Sequence, residues 1–315
     1  MKKTPFRLFN STIAAALMAA LLFLVGRPAQ AKIDVVCSVP DLCDIAKNVG
    51  KGYVKTKSLA KGYQDPHFVD PKPSFALILS RADLLLHAGL ELEVGWLPAL
   101  ITGSRNGKII TGALGNLDCS TLIKIREVPT KRISRSQGDL HPGGNPHYWT
   151  DPRNGVRIAY GLYKRLAKLD PTHAAAYKKN YKKFALKLIK WMRKWRKALK
   201  PYRGAYVIPY HQSWVYFLKF AGLKRLGTIE RLPGVKPSAA HLANLYRRIK
   251  TTKGKKVVIS ESFYPKKTAK TVAKRFGLKY ITLAQLLGGV RGTGTYIKTI
   301  DYNVRTIIKA LKESK

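Results

Sequence analysis

The 315-residue chain predicts an α/β protein of two Rossmann-like lobes, each built on a parallel sheet, joined by one long helix. Three observations lead there. Short β-branched runs alternate with helical periodicities early and late in the chain. A single amphipathic stretch separates the two regions. The hydrophobic content of 45% suffices for two ordinary cores.

Residues 32–39 have the β-branched, alternating character of a strand and lead into a helical segment at 42–49. Residues 74–80 and the apolar strand at 82–89, ended by Gly89, form a further unit. From Asp170 to Lys200 the period changes. Apolar residues recur at Tyr181, Phe184, Ala185, Leu188, Trp191, Met192, Trp195, Ala198 and Leu199, in steps of three and four, with lysines and arginines opposite. Asp170-Pro171-Thr172 starts this helix and Pro201 stops it. A basic membrane-surface helix would share the pattern, but α/β flanks on both sides favour an interlobe helix. Beyond Pro201, strands at 205–209, 256–260 and 279–283 alternate with helices at 213–220, 265–276 and 296–312. The expected divisions are a first lobe at 32–169, a linking helix at 170–201 and a second lobe at 202–315.

The first residues combine Lys2, Lys3 and Arg7, an apolar run at 11–25 and Pro28-Ala29-Gln30-Ala31, the order of a secretory signal peptide. The apolar run falls short of the roughly 20 residues that span a bilayer. Cleavage after Ala31 and a periplasmic mature protein are expected. Cys37 lies several residues past that cut and is a poor lipid-bearing first cysteine. Cys37, Cys43 and Cys119 are an odd set, so at least one thiol is unpaired. Cys37 and Cys43 flank the end of the first strand and the start of a helix, where a bridge or two small buried hydrophobes fit equally well.

The net charge of +42 invites a nucleic-acid or membrane-surface reading. It is spread along the whole chain instead of gathered in one tail. It is read as surface adaptation with weak polyanion attraction, and no specific nucleic-acid partner is expected.

Three of the seven histidines share a local setting: Asp65-Pro66-His67, Asn145-Pro146-His147 and Pro209-Tyr210-His211. Each lies in a turn after an inferred strand or before an inferred helix, and open α/β sheets bind ligands at such loops. Three imidazoles from separate loops make a plausible zinc shell. Spacing alone does not force them together.

The stretches around these residues resemble the metal-specific substrate-binding proteins of zinc and manganese ABC transporters. The likeness rests on Asp65 through Ser74, Ala82-Asp83 through Glu93 with Trp96-Leu97, Gly144 through Pro152, and Pro233-Gly234 with Pro237-Ser238, in family order across nearly all of the mature chain. The resemblance implies two lobes tied by a rigid helix, a divalent ion in the cleft between them, and delivery of that ion to a membrane ABC permease. It assigns His67 and His147 from the first lobe and His211 from the second.

Many members complete the site with an aspartate where this chain has Leu283-Ala284-Gln285-Leu286. The nearest substitute is Glu261, at the end of an inferred strand facing the cleft. The expected site is therefore three histidines and Glu261, with water in the fourth position where Glu261 does not reach. Such a donor set favours zinc over manganese. Zinc-capturing relatives often carry a histidine-rich loop, whereas residues 124–137 here are basic and free of histidine. His141 is a candidate auxiliary ligand, read more readily as a loop histidine, and His87, His173 and His241 are read as structural.

Two other functions are weighed. A zinc hydrolase also uses three protein ligands and water, but no His-Glu-x-x-His or Gly-x-Ser-x-Gly stretch is present. A polyanion-binding envelope protein is suggested by charge alone. The expectation is a monomeric, non-enzymatic, exported metal-binding protein.

Overall fold

The computed structural model describes residues 32–130, 141–231 and 234–314. The expected signal segment with its cut after Ala31, residues 131–140 and Pro233 lie outside the described residues. No helix among the described residues is long and apolar enough to cross a membrane.

The first sheet holds β1 (Ile33–Cys37), β2 (Val54–Ser58), β3 (Leu84–His87) and β4 (Asn116–Asp118), all parallel, in the order β2-β1-β3-β4. The second repeats that order with β5 (Tyr206–Pro209), β6 (Lys224–Arg225), β7 (Lys256–Glu261) and β8 (Lys279–Leu283), as β6-β5-β7-β8. The central strands are apolar on both faces because helices cover both. Val35, Val36 and Cys37 of β1 and Val257, Val258 and Ile259 of β7 are all buried. In each sheet the chain reverses direction of winding beside the first strand, which puts a crevice at the carboxyl ends of β1 and β3, and of β5 and β7.

Helices α1 (Pro40–Gly50), α2 (Pro73–Ser80), α3 (Leu97–Ser104) and α4 (Pro152–Leu169) belong to the first half, and α6 (Val215–Ala221), α7 (Ala239–Thr251), α8 (Lys266–Arg275) and α9 (Tyr296–Glu313) to the second. Between them α5 (Ala174–Leu199) runs 26 residues. Its buried residues Tyr177, Phe184, Leu188, Trp195 and Leu199 form one stripe. Near its start Asn180 Nδ2 donates to Val49 O at the end of α1 (3.1 Å), and further on Trp195 Nε1 donates to Asp301 Oδ1 in α9 (3.0 Å). A single helix is thus fastened to both lobes.

The strands β2, β4 and β6 and the helices α3 and α4 have no counterpart in the sequence reading. β4 and β6 span only three and two residues, too short to show a period. β2 reads Val-Lys-Thr-Lys-Ser, lysines on an edge strand that pairs on one side only. For α4 the start signal exists: Asp151 Oδ1 accepts from the Arg153 backbone N–H (2.8 Å), with Pro152 in the first turn.

One continuous apolar core runs from the inner face of the first sheet through α1, α4 and α5 to the second. Separate clusters cover the outer faces. Polar bonds stitch the lobes across this core. Asp41 Oδ2 accepts from the Leu287 N–H and Asp44 Oδ2 from the Tyr296 N–H, each at 2.9 Å. Trp149 Nε1 donates to Gln285 O (2.9 Å), and Tyr296 Oη donates to Trp149 O (2.6 Å). At Gly62 a Cβ would lie 2.1 Å from Leu287 O, so only glycine permits that approach of the two chains.

Cys37 and Cys43 are joined in a disulfide from the end of β1 to the first helix, with a Cα separation of 5.6 Å. Cys119 is free and buried.

Candidate metal centre

His67 lies in the loop between β2 and α2, His147 in the segment between β4 and α4, and His211 directly after β5. All three are buried. Their ring centroids stand 5.2 Å (His67 to His147), 5.5 Å (His67 to His211) and 5.3 Å (His147 to His211) apart. One nitrogen from each lies within 4.8 Å of the other two.

The same local device sets two of these rings. In Asp65-Pro66-His67, Asp65 Oδ1 accepts from both the His67 backbone N–H (3.1 Å) and Nδ1 (2.6 Å). In Asn145-Pro146-His147, Asn145 Oδ1 accepts from the His147 N–H and from Nδ1, each at 3.0 Å. The intervening proline holds the preceding residue extended, which lets its side chain fold back on the histidine two positions on. His211 is oriented from farther away: its Nδ1 lies 2.9 Å from Glu230 Oε2, and Glu230 Oε1 accepts from the Gly234 N–H (3.1 Å).

These acceptors are oxygens without a proton to give, so each Nδ1 is the donor, and in a neutral ring the lone pair then sits on Nε2. The Nε2 atoms of His147 and His211 are buried and have no hydrogen-bond partner among the described residues. Burial first, then the imidazoles of His67, His211 and His141, push the His147 pKa well below the usual histidine range. The ring is a neutral nitrogen donor at physiological pH. Burial would raise the Asp65 pKa, but the charge and hydrogen bonds of His67 outweigh it and hold the carboxylate below its ordinary range. Carboxylate or amide behind Nδ1, lone pair in front, is the arrangement that metal-ligating histidines adopt.

His141 approaches His67 from the first lobe. Its Nδ1 donates to Leu90 O (3.0 Å) and its Nε2 lies 3.2 Å from His67 Nε2. Glu261 ends β7 with no exposed surface, and its oxygens are not among the mutually close donor atoms of the three histidines. Instead Oε1 accepts from Trp214 Nε1 (2.8 Å), Oε2 has no hydrogen-bond partner among the described residues, and burial pushes its pKa up to about 8. The geometry therefore brings together the three histidines named from sequence; His141 approaches His67, and neither His141 nor Glu261 is one of the three mutually close donors. His87, His173 and His241 stand outside the group, bonded to Asn116, Asp170 and Thr228 respectively.

Sequence reasoning missed the orienting roles of Asp65, Asn145 and Glu230. The repeated acceptor-Pro-His tripeptide carried the signal for the first two. Glu230, 19 residues from its histidine, carried none.

Paired parallel α/β lobes on a shared helix, with buried imidazole nitrogens aimed at one point, define a two-lobed metal-binding solute-binding protein. The chain belongs to the ZnuA family, zinc-uptake complex component A, periplasmic, whose sequence model matches residues 35–310. It is 29% identical over 290 residues to the high-affinity zinc uptake system protein ZnuA of Brucella abortus (strain 2308), covering 82% of this chain and 86% of that one. It is 27% identical over 323 residues to the manganese-binding lipoprotein MntA of Bacillus subtilis (strain 168), covering 94% and 99%. Among solved structures, a zinc-bound ZnuA lacking residues 138–173 of its own numbering superposes with a TM-score of 0.75 at 25% identity, over 89% of this chain and 98% of that one. This family supplies the solute-binding components of metal transporters, and the chain is such a component, not an enzyme.

Proposed function

We propose that the protein captures one divalent cation, zinc in the first instance, on His67, His147 and His211, with His141 closing the shell. The observation that carries this is the convergence of one nitrogen from each of the three imidazoles, each ring held through its Nδ1 by an acceptor. The His67 to His141 Nε2 separation of 3.2 Å matches the edge of about 3.3–3.4 Å that a tetrahedral zinc with bonds of about 2.0–2.1 Å imposes on two nitrogen ligands. Glu261, held by Trp214, stays an uncoordinated neighbour. All-nitrogen donation suits zinc better than manganese, which takes oxygen ligands.

On this reading the chain is exported, cut after Ala31, and works as a periplasmic monomer. Residues 32–169 and 202–315 act as lobes about the linking segment 170–201, and the loaded protein presents its ion to an ABC permease. Release there needs only that the permease disturb the loops carrying the histidines. Elemental analysis and competition titration of the purified protein, repeated with His211→Ala, test the reading. One tightly held zinc per chain, lost in the variant, is the expected result; a chain that binds no divalent ion stoichiometrically overturns it.

A further inference from the structure

A cavity of about 550 Å³ opens where the C-terminal ends of α5 and α6 meet the first turn of α4. Six cations line it: Arg153, Arg196, Lys197, Lys200, Arg203 and Lys219. Its other walls are Phe220, Ala221 and Gly222, so no acidic side chain lines it. Arg153 is paired with Asp151 (Nη2 to Oδ2 2.6 Å), and the other five make no ion pair among the described residues.

Packing, not charge pairing, gathers these groups. The Arg153 and Arg196 guanidinium carbons lie 5.8 and 5.5 Å from the centroid of the same Phe220 ring, which is itself buried. The Arg203 stem lies against Gly222, where a Cβ would come within 3.2 Å of its Cγ; Gly222 has a φ of 72° and ends α6. Three guanidinium groups are thus led into one concavity whose like charges repel, and among the described residues one carboxylate, Asp151, offsets them. A bound anion removes that repulsion. Guanidinium forks match phosphate oxygens two at a time. A single phosphate carries at most about two negative charges, fewer than the cations here leave uncompensated.

We infer that this cavity binds an anion carrying two or more phosphate groups, whether a soluble diphosphate or the headgroup of a diphosphorylated lipid. It is independent of the imidazole site. The exposed face of α5 adds Lys178, Lys179, Lys182, Lys183, Lys187 and Lys190 with no acidic residue in the helix, a cationic stripe that draws anions toward the cavity.

The test titrates the mature protein at about 0.15 M salt with pyrophosphate and with inorganic phosphate, and sediments it with phosphatidylcholine vesicles with and without cardiolipin. Arg196→Glu with Lys200→Glu alters the cavity; Lys179→Glu with Lys183→Glu changes charge equally at the far end of α5. Saturable binding of pyrophosphate or of cardiolipin vesicles, weakened at least about tenfold by the cavity pair and about twofold or less by the distant pair, is expected. The arm that responds names the source of the phosphates. Unchanged zinc binding in both double variants shows that they fold; if the first does not, Lys200→Gln with Lys219→Gln replaces it. Equal losses in the two pairs, or no saturable binding in either arm, overturn the inference.

Discussion

Asp65 Oδ1 stands 2.6 Å from His67 Nδ1 and 3.1 Å from the His67 backbone N–H, so one oxygen sets both the turn and the ring. Replacing it leaves His67 in place as a residue but no longer aimed. Asp65→Ala is expected to weaken zinc binding by about 10–100-fold, and Asn145→Ala to do the same through His147. Competition titration against a chromogenic chelator measures both. Unaltered affinity in either variant would show that the acceptors only shape the loops.

Removing a ligand should cost more than removing the group behind it. His147→Ala is expected to exceed the Asp65→Ala loss and to abolish stabilisation by zinc. In the parent protein, zinc at about 1,000 times its dissociation constant stabilises the fold by about 4 kcal/mol, roughly a 10 °C rise in Tm. Differential scanning calorimetry with zinc, then with added chelator, reads this directly.

The fourth position separates His141 from Glu261. His141→Ala should weaken zinc binding by at least about tenfold, whereas Glu261→Gln, which keeps an acceptor for Trp214 Nε1, should leave it nearly unchanged. A crystal of the zinc complex with a Glu261 oxygen at bonding distance would reverse the assignment.

Asp41 predicts a pH dependence of stability. Burial pushes its carboxyl up to about 7 from an ordinary value of 3.8, against the opposing Leu287 N–H bond. Between those two values the folded chain holds a proton that the unfolded chain has lost, so this contribution is full below the unfolded pKa and fades as pH rises toward 7. The Tm difference between the parent protein and Asp41→Asn, followed from pH 4 to 8, should therefore shift against the parent as pH rises. A difference flat across that window would mean that Asp41 is ionised throughout.

Much of the site is legible in the sequence. The β-branched runs at 32–39 and 256–260 and the stripe from Tyr181 to Leu199 follow from local periodicity, and they became β1, β7 and α5. The acceptor-Pro-His tripeptides at 65–67 and 145–147 placed two histidines in turns for the same reason: proline and a small acceptor act within three residues. Short-range chemistry of this kind is written in sequence.

Tertiary structure alone decided the rest. The pairing of β4 with β3 and of β6 with β5 and the reach of Glu230 to His211 depend on segments that meet only after the chain has folded back. Glu261 shows the limit most plainly: strand position put it near the cleft, but only packing shows that Trp214 claims one of its oxygens and that burial raises its pKa. His141, named from sequence only as a candidate auxiliary ligand, is a loop histidine whose Nδ1 donates to Leu90 O and whose Nε2 lies within 3.2 Å of His67 Nε2. Distance and desolvation between remote residues are properties of the packed molecule, which local sequence patterns do not carry.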